Sequence, residues 1–268
     1  MRRPLPLETL LRRPDLGVGV ALALLVALAW LQLASFEPAG GSMAAGHAAH
    51  AMPRTRGSAD LGVTLLMWLT MSVAMMLPTA APAILAFADI TRGNDRSAAA
   101  VRPVAAFVGG YLTVWAGFAL LATAAQWALA VLALRLPGFR AGGTAFGGGL
   151  LVVAGLYQVS LLKDHCLTQC RSPLAFFLAR WRAGIRGAFY LGQRHGLHCL
   201  GCCWALMALM LIGGAMSLAW TAALAAVMLV EKVAPGGRFI GRAVGAGLIG
   251  WGGMLLASTL YTTAYSTG

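Results

Sequence analysis

Long apolar runs separated by short charged segments set the pattern of this chain. Seven such runs cover residues 17–35, 61–87, 104–134, 144–162, 197–214, 216–230 and 239–260. An uncharged apolar run of about 18 residues or more, wound as a helix, crosses the hydrocarbon of a bilayer. The pattern therefore predicts seven transmembrane helices, of which the sixth is short for a full crossing. Pro78 and Pro82 lie inside the second run and predict a kink there.

An eighth segment behaves differently. Between the fourth and fifth runs, Leu174, Phe177, Leu178, Trp181, Ile185 and Phe189 fall mostly on one helical face, opposite Arg180, Arg182 and Arg186. That arrangement predicts an amphipathic helix lying in the headgroup plane. The fold class expected is an all-α membrane protein, a polytopic helical bundle of about seven transmembrane helices plus one interfacial amphipathic helix. Residues 1–35 form an N-terminal tail and first anchor, 36–60 an extracytoplasmic loop, and 61–260 a six-span bundle. Glycines 147, 148, 149 and 155 in the fourth run and 241, 245, 250 and 253 in the seventh predict close helix packing.

Composition agrees with the pattern. Of 268 residues, 59% are apolar and 10% charged, and the 34 glycines outnumber all charged residues. A soluble domain carries roughly 25% charged residues, so a soluble enzyme, a disordered regulator and a secreted disulfide scaffold are excluded. The net charge of +12 is spread over short loops with no extended basic face, which argues against nucleic acid as a partner. It reads instead as topology. Segments 1–16, 89–103, 163–195 and 231–242 hold 4, 3, 6 and 3 of the 20 lysines and arginines, and the intervening segments hold only Arg54, Arg56, Arg135 and Arg140. The positive-inside rule then places the N-terminus in the cytoplasm and the C-terminus outside. Arg12 and Arg13 before the first run also suit a signal peptide, but no small-residue cleavage site follows, which favours a retained anchor.

The soft side chains are concentrated. Cys166 and Cys170, with His165, follow the fourth run, while Cys199, Cys202 and Cys203, with His195 and His198, open the fifth. No cysteine occurs elsewhere, and both segments map to the predicted cytoplasmic edge. Thiols in that reducing compartment serve metals or catalysis more often than structural bridges. Positions 199, 202 and 203 share one helical face, which extends back to His195 and on to Met207 and Met210. Met67, Met71 and Met75 form a second stripe leading to Pro78. A methionine stripe is ordinarily core packing, but Met71 and Met75 opposite a thiol face suit a site for monovalent copper. In the outer loop, Met43, His47, His50 and Met52 alternate with small residues and form a secondary candidate site, or else a plain Ala/Gly linker. Glu231, Lys232 and Asp164 are expected around the ligands, with Glu231 fixing the tautomer of His195 or His198. For Glu231 and Lys232, an interfacial ion pair is the simpler alternative.

At three of these stretches, residues 71–82 (MSVAMMLPTAAP), 157–173 (YQVSLLKDHCLTQCRSP) and 192–210 (GQRHGLHCLGCCWALMALM), and at the closing Glu231-Lys232, the chain resembles a known group. It is similar to a bacterial inner-membrane family of predicted metal-binding integral membrane proteins that carry the label copper chaperone. The resemblance covers residues 60–260 and implies a metal-handling membrane protein. The leading expectation is transport or handover of Cu(I) through a Cys/His/Met site at the cytoplasmic edge. Its partners would be the lipid bilayer, the metal ion, and a metallochaperone or a metalloenzyme or membrane complex. Two other functions compete. One is a membrane thiol-disulfide oxidoreductase built on Cys199 and Cys202. The other is a structural zinc site of Cys166, Cys170, Cys199 and Cys202 in a larger membrane complex.

Overall fold

The computed structural model describes residues 14–36, 58–94, 101–135, 143–213 and 217–266, and every regular element among them is an α-helix. In chain order these are α1 (Pro14–Phe36), α2 (Ser58–Asn94), α3 (Val101–Arg135), α4 (Gly143–Gln158), α5 (Leu161–Arg171), α6 (Pro173–Arg180), α7 (Gly184–Ala208), α8 (Met210–Gly213), α9 (Leu218–Val233) and α10 (Gly237–Ser266). The outer loop with Met43, His47, His50 and Met52 lies outside the described residues.

Among the described residues, four helical stretches are long and apolar enough to cross a membrane: Gly17–Ser35, Leu61–Thr91, Val101–Leu132 and Gly237–Tyr261. A fifth arises if α4 and α5, bent by 61° at their junction, count as one broken span. The fourth predicted run thus ends early. Ser160 turns into an extended conformation (φ −76°, ψ 149°) and its hydroxyl accepts the Lys163 N–H at 3.2 Å, which caps a new helix. The fifth and sixth runs fall outside the set of spans by length and composition. The sixth corresponds to α9, whose 16 residues are short for a crossing. The fifth begins inside the 25-residue α7, which carries Arg186, Gln193, Arg194, His195 and His198, and continues into α8.

The amphipathic segment is not one interfacial helix. Pro173 starts the eight-residue α6, the chain leaves helical geometry at Trp181, and α7 begins at Gly184, whose φ of +80° suits glycine alone. Leu174 and Leu178 face outward, but Phe176 and Phe177 are fully buried. Phe177 packs at 5.5 Å from Phe87 of α2 and 5.6 Å from Phe107 of α3. Helical periodicity marks a face as apolar, but lipid and protein interior satisfy it equally, so the pattern could not tell a surface helix from a plug.

Two close helix pairs frame the bundle. Along α4 and α10, a Cβ on Gly155 would sit 2.6 Å from the Gly245 carbonyl oxygen, and one on Gly252 would sit 2.6 Å from the Gly148 carbonyl oxygen. Of the glycines expected to pack there, Gly148, Gly155 and Gly245 do so, whereas Gly147, Gly149, Gly250 and Gly253 face open space. The second pair, α3 with α7, is tighter. A Cβ on Gly110 would lie 2.0 Å from the Phe189 carbonyl oxygen, and one on Gly192 equally close to that of Phe107. Helices without side chains at the crossing approach backbone to backbone, as membrane helices do to maximise dispersion contact. α7 is then held against α3 on one side and α5 on the other. That is what carries its thiol face into the interior.

Candidate metal centre

Cys199, Cys202 and Cys203 are each 1% exposed. The i, i+3, i+4 spacing brings two of the sulfurs onto one acceptor: Cys202 Sγ donates to the Cys199 carbonyl oxygen at 3.0 Å and Cys203 Sγ to the same oxygen at 2.9 Å. Back-bonding to the helix is the ordinary fate of a small buried donor. Cys199 differs, because its partners come from other helices. Lys232 Nζ of α9 donates to Cys199 Sγ at 3.0 Å, and Tyr111 Oη of α3 lies 3.1 Å from the same sulfur.

The remaining bonds close a network around it. Lys232 Nζ also donates to Thr79 Oγ1 at 3.0 Å. The Thr79 hydroxyl donates to the Met76 carbonyl oxygen at 2.9 Å, and Tyr111 Oη donates to that oxygen at 3.0 Å. These contacts lie on α2 where Pro78 interrupts the helical hydrogen bonding. Cys203 Sγ meets Met76 Sδ at 3.8 Å. Five helices therefore contribute to one locus: α2, α3, α7 and α9, with α5 supplying Cys170.

Cys170 interacts with the thiols of both Cys199 and Cys202, so the two cysteine segments approach each other. Cys166 stands at the margin. It interacts with Cys202, and its Sγ would be 2.8 Å from a Cβ at position 201, so Gly201 makes room for it. Gly201→Ala should push this sulfur aside and raise its alkylation rate about threefold, because thiol reactivity follows access; peptide mass spectrometry would read it.

The other predicted residues distribute unevenly. His195 is buried against Phe107, Tyr111 and Phe176, and its Nδ1 has no hydrogen-bond partner among the described residues. A buried ring nitrogen without a partner is uncommon and marks His195 as available to a ligand. His198 instead places Nδ1 2.7 Å from the Arg194 carbonyl oxygen, and His165 is exposed. Met71, Met75 and Met207 are buried in the core, and Met210 Sδ accepts from Thr221 Oγ1 at 3.8 Å. It is Met76, one residue off the predicted stripe, that reaches a thiol. Asp164 pairs at the surface with Arg242 at 3.0 Å.

Glu231 and Lys232 do not pair with each other, and Glu231 makes no hydrogen bond to His195 or His198. Its Oε2 accepts from Lys163 Nζ at 2.6 Å and its Oε1 from Gln158 Nε2 at 2.6 Å, all three side chains being buried. Arg171 adds bonds to the Glu231 carbonyl oxygen at 2.6 Å and the Ala234 carbonyl oxygen at 2.7 Å. Consecutive residues on a helix point about 100° apart, so α9 uses Glu231 to fasten α5 and Lys232 to meet α7. Sequence reasoning missed Tyr111, Thr79 and Met76. Proximity of Thr79 and Met76 to Pro78 was the available signal for two of them; Tyr111 carries none.

Among the described residues, no group of three or more His, Cys, Asp and Glu side chains is spaced to hold a metal ion. No curated protein and no solved structure matches the chain. Residues 65–255, which run from α2 into α10 and include every contact described above, match the PpoB2 family, described as copper chaperone, and the chain belongs to that family.

Proposed function

We propose that this protein binds Cu(I) as cargo between thiolates of α5 and α7, at the cytoplasmic edge of a membrane bundle, and passes or hands it on by ligand exchange. Membership of a copper chaperone family supports a metal-handling role rather than a catalytic one. The observation that carries the reading is the meeting of Cys170 with Cys199 and Cys202 across two helices. Soft thiolate and thioether donors select Cu(I), and a pair of thiolates suffices for it, whereas a tetrahedral structural zinc site needs a closed shell of four.

The ligand set we assign has Cys199 at its centre, with Cys170 and Cys202 as the second thiolate, Cys203 and Met76 beside them, and the unpartnered His195 on the same helix face. Cys166 at the margin and the exposed His165 suit an entry step, and His198 lies one turn from Cys202. Met71, Met75, Met207 and Met210 extend the route into the bundle. The outer-loop residues Met43, His47, His50 and Met52 would offer a collecting site on the other face. In this reading the four apolar spans, the bent α4–α5 pair taken as a fifth, α7 and α9 make seven crossings of a bacterial inner membrane, with the N-terminus cytoplasmic and the C-terminus outside. The excess of Lys and Arg in alternate segments supports that orientation.

Anaerobic purification followed by metal analysis tests the reading. The wild type should carry about one copper per chain, and Cys199→Ser should lose about tenfold or more of it, because a hydroxyl is a poor ligand for a soft ion. Bound zinc in place of copper, or a metal-free protein with a cycling Cys199–Cys202 disulfide, would overturn it.

A further inference from the structure

Three charged side chains are buried among the described residues: Lys163, Glu231 and Lys232. Lys163 and Glu231 neutralise each other. Lys232 has no carboxylate partner among those residues, and its hydrogen bonds go to the Thr79 hydroxyl and to the sulfur of Cys199. An ammonium kept inside a membrane protein needs a counter-charge, and the Cys199 sulfur, 3.0 Å from Lys232 Nζ, is the group placed to supply it.

The geometry points to Lys232 as a built-in counter-cation that sets which ion the thiol site accepts: it stands against Cys199 in place of the cargo, and it balances the charge left over when Cu(I) is held by two thiolates. This rests on the copper reading above. The arithmetic is short. Two thiolates and one Cu(I) leave a single negative charge, which Lys232 cancels; two thiolates and a divalent ion are already neutral, so Lys232 leaves one positive charge in a low-dielectric interior, where net charge is strongly disfavoured. A third thiolate would balance a divalent ion as well, so the selection belongs to the two-thiolate coordination proposed above.

The exchange has a path. Thr79 already accepts from Lys232 while giving its own proton to the Met76 carbonyl oxygen, so the ammonium has a hydrogen-bonded place to remain when the ion takes its position at Cys199. Cys199 releases its bond to Lys232 and forms a bond to Cu(I). The second thiol, from Cys170 or Cys202, forms the other Cu–S bond and gives its proton to water. No electron moves, and Lys232 stays in the site as the balancing charge.

The test uses the full chain in detergent, with Cu(I) titrated against a chromophoric Cu(I) chelator and Cd(II) as the divalent probe, read by its thiolate charge-transfer absorption. Lys232→Met should weaken Cu(I) about tenfold or more and strengthen Cd(II) about threefold or more, since removing the fixed charge reverses which complex is neutral. Lys232→Arg, which keeps the charge, should retain the wild-type order of the two metals. Opposite shifts of this kind do not arise from a loosened fold, which weakens both ions together. Parallel loss of both metals in Lys232→Met, unchanged Cu(I) affinity in it, or an arginine variant with the methionine variant's order overturns the inference while leaving the copper reading intact. A wild type that binds no Cu(I) overturns both.

Discussion

Gly192→Ala is expected to force α3 and α7 apart and to destabilise the protein strongly. The added Cβ would lie 2.0 Å from the Phe107 carbonyl oxygen, 2.8 Å from its carbonyl carbon and 3.0 Å from the Tyr111 nitrogen. All three obstacles are backbone, so no rotamer change relieves them. Ordinary contact needs about 3.5 Å between heavy atoms, so the helices must separate by about 1.5 Å along their crossing. Overpacking of cores typically costs 1–3 kcal/mol and occasionally more, and a backbone obstacle puts this site at or above about 3 kcal/mol. The damage reaches the thiol locus, because Tyr111 rides on the same turn of α3 and would leave the Cys199 sulfur. Gly109→Ala is the control. Its Cβ faces nothing within 4 Å, and such a substitution falls within about 0.5 kcal/mol. Thermal unfolding in detergent, paired with copper content, measures both; a Gly192→Ala protein that melts with the control would refute the packing argument.

Removing one partner of the Lys163–Glu231 pair should be nearly as damaging, and removing both much less so. Lys163→Met leaves a buried carboxylate with only Gln158 and no counter-charge, and Glu231→Leu leaves a buried ammonium in the same position. Breaking a buried pair from one side costs about 3–5 kcal/mol, whereas replacing the whole pair by apolar residues is often neutral or stabilising. The double variant Lys163→Met/Glu231→Leu should therefore recover most of either single loss, and the coupling measured by the cycle should be large. The pair also has a task at the site. It clamps α5 to α9 one turn before Cys166, and Arg171 repeats the clamp one residue after Cys170. Each single variant should expose Cys170 to alkylation while the double variant keeps it protected. Single variants as stable as the double would show that the pair is not a unit.

Much of the fold is visible along the chain because bilayer solvation imposes a simple rule on it. The first, second, third and seventh apolar runs correspond to α1, α2, α3 and α10, each extended at its ends by a few residues. The fourth run was misjudged at one place. Leu161 and Leu162 continue the hydrophobicity of α4 and hide a boundary that Ser160, standing three residues before an N–H it can cap, does signal. The break between α6 and α7 had a similar sign in Gly184, which helical periodicity overrides when faces alone are counted. The shortness of the sixth run was legible and became the 16-residue α9.

For the candidate site, the amino-acid order by itself determined which thiols share a face: the spacing of 199, 202 and 203 is a property of the helix alone, and concentration of every thiol in two segments named the locus. It also determined where close packing would be sought, through Gly148, Gly155 and Gly245. What stands opposite those thiols was decided by the tertiary structure. Thr79 and Lys232 lie 153 positions apart, yet they meet with Tyr111 and Met76 around the Cys199 and Cys203 sulfurs, because the Gly110 and Gly192 contact sets how deeply α7 sinks against α3 and the Glu231 clamp sets the rotation of α9. The physical reason is that periodicity is a one-body property of each helix. Depth, crossing and rotation are pairwise, and they assign to Lys232 a sulfur in place of its neighbouring carboxylate.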